Sequence, residues 1–197
     1  MIGILTGTFD PVHDGHVAIA RAALGQCGLQ EVWLMVNPDP AHKLCQAGFD
    51  DRLAMVALAL RAAEGLRLAP LEAGLAIRPH TLDTFLEVQR LWPAESLAFI
   101  VGLDTLFRLD TWKDVESVVK STSYIAVHRP GTSVAGLVAL RARLGPLGER
   151  LQVEVIEAET PSEVSSTQIR QQVAAGEAPQ GVAPAVRQYI EQHQLYR

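Results

Sequence analysis

Apolar positions along this chain fall into two alternating patterns. Apolar runs occupy residues 2–5, 32–36, 97–101, 124–127 and 151–156, the last interrupted by Gln152 and Glu154, and each has a length suited to a strand. Between them, apolar residues recur at helical spacing over about 14–26, 50–63, 81–91, 111–120 and 134–144, and two further helices are expected at 166–175 and 183–193. Strands that alternate with helices pair in parallel, so the expected fold is α/β: a doubly wound parallel sheet with helices on both faces. The Gly- and Pro-containing segments near 130–133, 145–148 and 176–184 read as loops, and no internal repeat or low-complexity tract divides the chain. Residues 1–197 are therefore expected to form one domain. Ligands bind such a sheet beyond the carboxyl ends of its strands, where the strand order reverses. The segment after residue 5 and the run Gly102-Leu103-Asp104, each ending a strand, are expected to border one crevice.

The first of these segments reads Gly7-Thr8-Phe9-Asp10-Pro11-Val12-His13-Asp14-Gly15-His16, and Val17, Ala20, Ala23 and Leu24 continue it at helical spacing. Gly15 and His16 then stand at a helix start, where free backbone N–H groups and the positive end of the dipole attract anions. His13 and His16, three residues apart, can face the same side and donate to phosphate oxygens. Gly15 removes a side chain that would block close approach. Two histidines alone would fit a surface turn or half of a metal site equally well. The order of strand, turn, Asp-Pro, histidines and helix favours phosphate, and Cys27 and Cys45 are not spaced to complete a zinc site, so no protein metal site is expected.

Near the other end, Ser165, Ser166 and Thr167 precede Ile169. One hydroxyl there caps a helix, and the same geometry binds phosphate, with Arg170 one turn on and able to reach it bidentately; from the residues alone the two readings stand level. Other positions are similarly two-sided. Lys43, after Pro38 and Pro40, is a solvated charge or a triphosphate contact at a strand end. Asp104 is a helix N-cap or an acceptor for ribose hydroxyls. Trp112 is a half-buried core aromatic or a stacking surface for a base, and Arg129 pairs with a carboxylate or closes over phosphates. Val186, Tyr189, Ile190, Leu195 and Tyr196 have helical spacing and are assigned to packing, with no chemistry.

Residues 7–16 resemble the signature of nucleotidyltransferases with a His-x-Gly-His motif, and residues 164–170, Val-Ser-Ser-Thr-Gln-Ile-Arg, resemble the second signature of that family. Pro40-Ala41-His42-Lys43, Arg52-Leu53-Ala54-Met55, His80-Thr81-Leu82-Asp83-Thr84, Gly102-Leu103-Asp104 and Trp112 are similar to the pattern of bacterial nicotinate-nucleotide adenylyltransferases, so the resemblance spans essentially the whole chain. It implies a Rossmann-like fold and adenylyl transfer from ATP to nicotinate mononucleotide, giving deamido-NAD and pyrophosphate. It implies that His13, His16, Lys43 and Arg170 are catalytic. ATP would be bound by Gly7, Thr8, Phe9, His13, His16, Gly102, Asp104, Ser165, Ser166, Thr167 and Arg170, and the acceptor by Asp10, His42, Lys43, Thr81, Trp112 and Arg129. Magnesium would arrive with ATP, using few protein ligands. The chain departs from the pattern at Ala41, where a second proline is usual, and at His80, where tyrosine is usual. The second departure leaves nicotinamide mononucleotide open as the acceptor. Another adenylyl acceptor, or a nucleotide-binding regulator without catalysis, is a more distant alternative.

Composition narrows the partners. A formal net charge of -5 argues against a general nucleic-acid surface and leaves a mononucleotide as the better partner. Two cysteines make no disulfide framework, and no charged leader or long apolar run is present, so a cytoplasmic protein without a membrane partner is expected. A dinucleotide-dependent dehydrogenase is disfavoured because no Gly-x-Gly-x-x-Gly follows the first strand.

Overall fold

The computed structural model describes residues 1–38, 44–69, 88–93, 95–112, 114–128, 132–159 and 164–197. Its strands are β1 (Ile2–Gly7), β2 (Glu31–Val36), β3 (Leu66–Leu68), β4 (Leu97–Gly102), β5 (Ser123–His128) and β6 (Gln152–Glu157). They form one sheet in the order β3-β2-β1-β4-β5-β6, with every neighbouring pair parallel. The helices among the described residues are α1 (Asp14–Gln26), α2 (Phe49–Leu60), α3 (Leu103–Leu106), α4 (Val115–Ser121), α5 (Ala135–Leu144), α6 (Pro146–Arg150), α7 (Ser166–Ala174) and α8 (Pro184–Gln192), with a 3-10 turn at Leu109–Thr111. Residues 88–91 are also helical.

Alternation along each strand builds two cores, because successive side chains point to opposite faces. Leu5, Leu34 and Ile100 face one side and pack with Ile19 and Ala23 of α1, Met55 and Val56 of α2, and Val186 and Ile190 of α8. Ile4, Met35 and Phe99 face the other side, against Leu103, Val118 and Leu140. Strands β1, β2, β4 and β5, covered on both sides, have no polar face to present, which explains their apolar runs, whereas the edge strand β6 exposes Gln152 and Glu154.

The strand order reverses between β1 and β4: the chain leaves β1 toward β2 and β3, and leaves β4 toward β5 and β6. Leu5 pairs with Ile100, and continuing that register by two residues sets Gly7 opposite Gly102. The carboxyl ends of these two strands therefore open one crevice, as the strand-end segments led us to expect.

Several local expectations change. The strand β3 is absent from the sequence reading, since three residues with a central Arg67 carry too little pattern. The helix expected over 111–120 is broken, because Trp112 is extended and Asp114 takes a left-handed φ of 53° before α4 begins. Residues 145–148, expected as loop, hold the start of α6: Gly145, with φ 57°, ends α5, and Pro146 takes the first helical position, where its missing N–H costs nothing. Most of the helix expected at 81–91 lies outside the described residues.

Candidate active site

The turn after β1 is folded around Phe9. Its backbone sits in the left-handed region, with φ 50°, and its ring is 2% exposed. A Cβ on Gly7 would stand 2.7 Å from that ring, so glycine at position 7 is what lets the ring fold back under the strand end. From there the ring meets His16 edge to face, with centroids 4.9 Å apart.

His13 is the N-cap residue of α1, in extended conformation, and its ring stacks on His16 at 3.7 Å between centroids. The backbone N–H of His13 donates to Nδ1 of His16 at 3.2 Å. A neutral imidazole that accepts at Nδ1 carries its proton on Nε2, so His16 is held as an Nε2 donor. A Cβ on Gly15 would lie 3.0 Å from Nδ1 of His13. Glycine between the histidines therefore makes room first for the neighbouring imidazole itself.

The start of α7 docks onto the same turn. Ser165 caps the helix by accepting from the N–H of Gln168 at 3.2 Å, and the Ser166 hydroxyl donates to the Pro11 carbonyl at 2.9 Å. Arg170 donates to the Asp10 carbonyl at 2.7 Å and to the Thr167 hydroxyl at 3.3 Å. Each of the three hydroxyls thus has a separate partner. The Val164 carbonyl lies 4.0 Å from where a Gly15 Cβ would stand, which brings the beginnings of α1 and α7 side by side.

Asp10 lies beneath this surface, 6% exposed. Its carboxylate accepts from the N–H of Gln46 at 2.8 Å, from the N–H of Ala47 at 3.1 Å, and from the Tyr196 hydroxyl at 2.7 Å. The Tyr196 hydroxyl is held far above its usual pKa by burial and by the Asp10 carboxylate it donates to, with the cations Arg170 and Arg52 pulling weakly the other way.

Arg52, 1% exposed on the inner face of α2, donates to the carbonyls of Thr8 at 2.8 Å, Asn37 at 2.6 Å and Pro38 at 2.9 Å. It therefore ties the loop after β1 to the loop after β2. Its Nε is buried with no partner among the described residues.

Across the crevice Gly102 is the N-cap residue of α3, and Asp104 follows in the first turn, exposed and making no capping bond. Trp112 is half-buried against the second core. His42, Lys43, Thr81 and Arg129 lie outside the described residues. Among the described residues no group of three or more His, Cys, Asp or Glu side chains is placed to hold a metal ion, and no helix is long and apolar enough to cross a membrane.

Known proteins are similar to this chain over almost its full length. The cytidylyltransferase-like family matches residues 4–172. A protein described as a probable nicotinate-nucleotide adenylyltransferase in Shewanella sp. (strain MR-4) is 34% identical over 212 residues, covering 99% of this chain and 98% of its own length. Its counterpart in Neisseria gonorrhoeae (strain NCCP11945) is 36% identical over 199 residues, covering 99% and 98%. The chain belongs to the nicotinate-nucleotide adenylyltransferases. The fold agrees: the Plasmodium falciparum nicotinic acid mononucleotide adenylyltransferase complexed with NaAD superposes with a TM-score of 0.78 at 18% identity, over 99% of this chain and 96% of that one.

For a nicotinate-nucleotide adenylyltransferase, sequence reasoning overlooked two residues that shape the crevice. Arg52 appeared only as part of a matching run, although a charge at the spacing of Phe49, Met55 and Val56 on a buried helix face was a readable signal. Tyr196 was assigned to packing, and nothing local to it points to Asp10.

Proposed function

We propose that this enzyme transfers the adenylyl group of ATP to nicotinate mononucleotide, forming deamido-NAD and pyrophosphate. The observation that carries the reading is the meeting of two helix starts, α1 and α7, on the turn after β1, with His13 and His16 at the first and Arg170 on the second. Helix starts offer N–H groups and dipole to anions, and the added histidines and guanidinium make the place suited to a triphosphate.

A 5′-phosphate oxygen of the mononucleotide bonds to the α-phosphorus of ATP, and the bond from that phosphorus to the bridging β-phosphate oxygen breaks, releasing pyrophosphate. The attacking phosphate is already a competent nucleophile, so the protein's task is alignment and stabilisation of charge on the α-phosphate oxygens. His16, donating from Nε2, and His13 serve those oxygens. Arg170 and Lys43, with the hydroxyls at 165–167, hold the β- and γ-phosphates, whose magnesium is part of the incoming substrate. Gly7, Thr8 and Phe9 line the ATP side through their backbone, and Gly102 and Asp104 approach the adenosine. Trp112 stacks on the pyridine ring, with Thr81, His42, Arg129 and the Asp10 turn around the acceptor. Residues 1–197 act as one domain, in the cytoplasm.

Pyrophosphate release from ATP, measured with nicotinate mononucleotide, nicotinamide mononucleotide and phosphopantetheine at matched concentrations, tests the proposal. Nicotinate mononucleotide should support the fastest release. Faster release with another acceptor, or no release with any, overturns it.

A further inference from the structure

Asp10 faces a chemical contradiction if it is a ligand for substrate. Three donors already occupy its carboxylate: two backbone amides from the segment before α2 and the hydroxyl of Tyr196. A buried carboxylate satisfied in this way holds protein segments together, and each of its partners leads to a different part of the crevice. The amides of Gln46 and Ala47 belong to the stretch that follows β2. The carbonyl of Asp10 itself anchors the guanidinium of Arg170. Three residues further on, His13 opens α1 and binds His16 through its backbone N–H.

Tyr196 reaches Asp10 by an unusual path. After α8 the chain turns at Gln194, with φ 52°, and Tyr196 takes a left-handed φ of 65°, a conformation that a bulky L-residue rarely adopts. Its ring is nevertheless buried, packed in the core shared by α1, α2 and α8. A second tyrosine on the same part of the chain, Tyr189, donates to Asp51 of α2 at 2.9 Å and makes no bond to Asp10 among those described.

We infer that Tyr196 is a positioning residue for adenylyl transfer: its hydroxyl holds the Asp10 carboxylate, and through it the turn that presents His13 and anchors Arg170. The inference rests on the proposed function for its kinetic consequence, though not for the structural one. Tyr196 touches no substrate. Its effect passes through the Asp10 carbonyl to Arg170, and through the Asp10 carboxylate to Gln46 and Ala47.

Tyr196→Phe deletes only the hydroxyl, and Tyr189→Phe is the control. The first should speed amide exchange at Gln46 and Ala47 by about fivefold or more, because both amides bond the carboxylate that the hydroxyl holds; the control should leave those amides unchanged. Calorimetry with a non-hydrolysable ATP analogue should show affinity reduced by about fivefold in Tyr196→Phe, and much less further reduction when Arg170→Lys is already present, since residues in one network are not additive. Asp10→Asn weakens the same bond from its other end and should produce the same signs if the tyrosine variant fails to fold. Unchanged exchange at Gln46 and Ala47 overturns the inference. So does a fall in melting temperature with ATP affinity intact, or an affinity loss of equal size in the Arg170→Lys background. A wild-type protein with no adenylyl transfer would sink the proposed function instead, while the exchange measurement would still decide the role of Tyr196.

Discussion

His16 is fixed on three sides, by the Phe9 edge, by the His13 ring and by the His13 N–H, and this determines what its removal does. A donor held in place costs no reorganisation when charge gathers on the α-phosphate, so its bond strengthens most in the transition state. His16→Ala should lower turnover by about 100-fold or more while ATP affinity changes little, as read from kcat beside direct binding. Turnover within about threefold of wild type would remove His16 from the chemistry. Two roles meet at Trp112, one seen in its packing and one proposed. It is half-buried against a core and is also the proposed stacking surface, so Trp112→Ala should lower the melting temperature and, separately, weaken nicotinate mononucleotide by roughly 1 to 3 kcal/mol with little change toward ATP. Equal damage to both substrates on an intact fold would leave Trp112 with packing alone. At this scale the sequence was readable where a residue meets its own neighbours, as His13 and His16 do and as the Ser165 cap does, whereas the bond from Arg170 to the Asp10 carbonyl joins residues 160 positions apart and left no local sign. The sequence did not show that the missing side chain of Gly15 also makes room for His13, because a ring folded back over its own helix start is not visible as a spacing.

Among elements, α2 has the least obvious duty. Its inner face packs on the sheet through Met55 and Val56, yet it also carries Arg52 to three carbonyls at the ends of β1 and β2. The crevice is therefore clamped from beneath by a helix that contributes no reacting group. Arg52→Met should destabilise the protein by about 3 kcal/mol or more, since it removes a buried guanidinium's donors from three part-buried carbonyls. At this chain length that is a drop in melting temperature of about 10 °C. Lysine should rescue only partly, because one ammonium cannot copy a planar fork spanning three acceptors. A melting temperature unchanged in Arg52→Met would mean that the two loops are held by other contacts. The strands buried on both faces were legible as apolar runs, and α1, α5, α7 and α8 as apolar periods bounded near their observed ends. The element that escaped was β3, whose residues between Leu66 and Leu68 earn their place only by pairing with β2. The break at Asp114 escaped for a similar reason: a left-handed backbone at an ordinary residue is imposed by the surroundings.

The molecule as a whole has a weakness at alkaline pH. Burial, with Glu154 nearby, raises the Cys27 thiol from 9.0 to about 11, and burial likewise raises the hydroxyls of Tyr124 and Tyr196 from 10.0. A raised folded-state pKa stabilises fully while both states keep the proton; once the unfolded chain ionises first, stability falls with rising pH. The melting temperature should therefore decline above about pH 9, and Cys27→Ala should delay the onset toward about pH 10, where the tyrosines take over. A profile flat to about pH 11 would contradict these shifts. The crevice between β1 and β4 could be anticipated from alternating strands and helices, since position follows from strand order. The bond between Asp10 and Tyr196 could not, because it spans 186 positions of sequence and leaves no local trace. That span has a consequence for a shortened chain. All six strands of the described sheet precede Arg170 and Tyr196 in the chain, and contacts so far apart in sequence as Asp10 and Tyr196 are slow to close. A chain that stops just short of Arg170 thus contains every strand of the described sheet and yet lacks the two side chains that anchor the turn after β1.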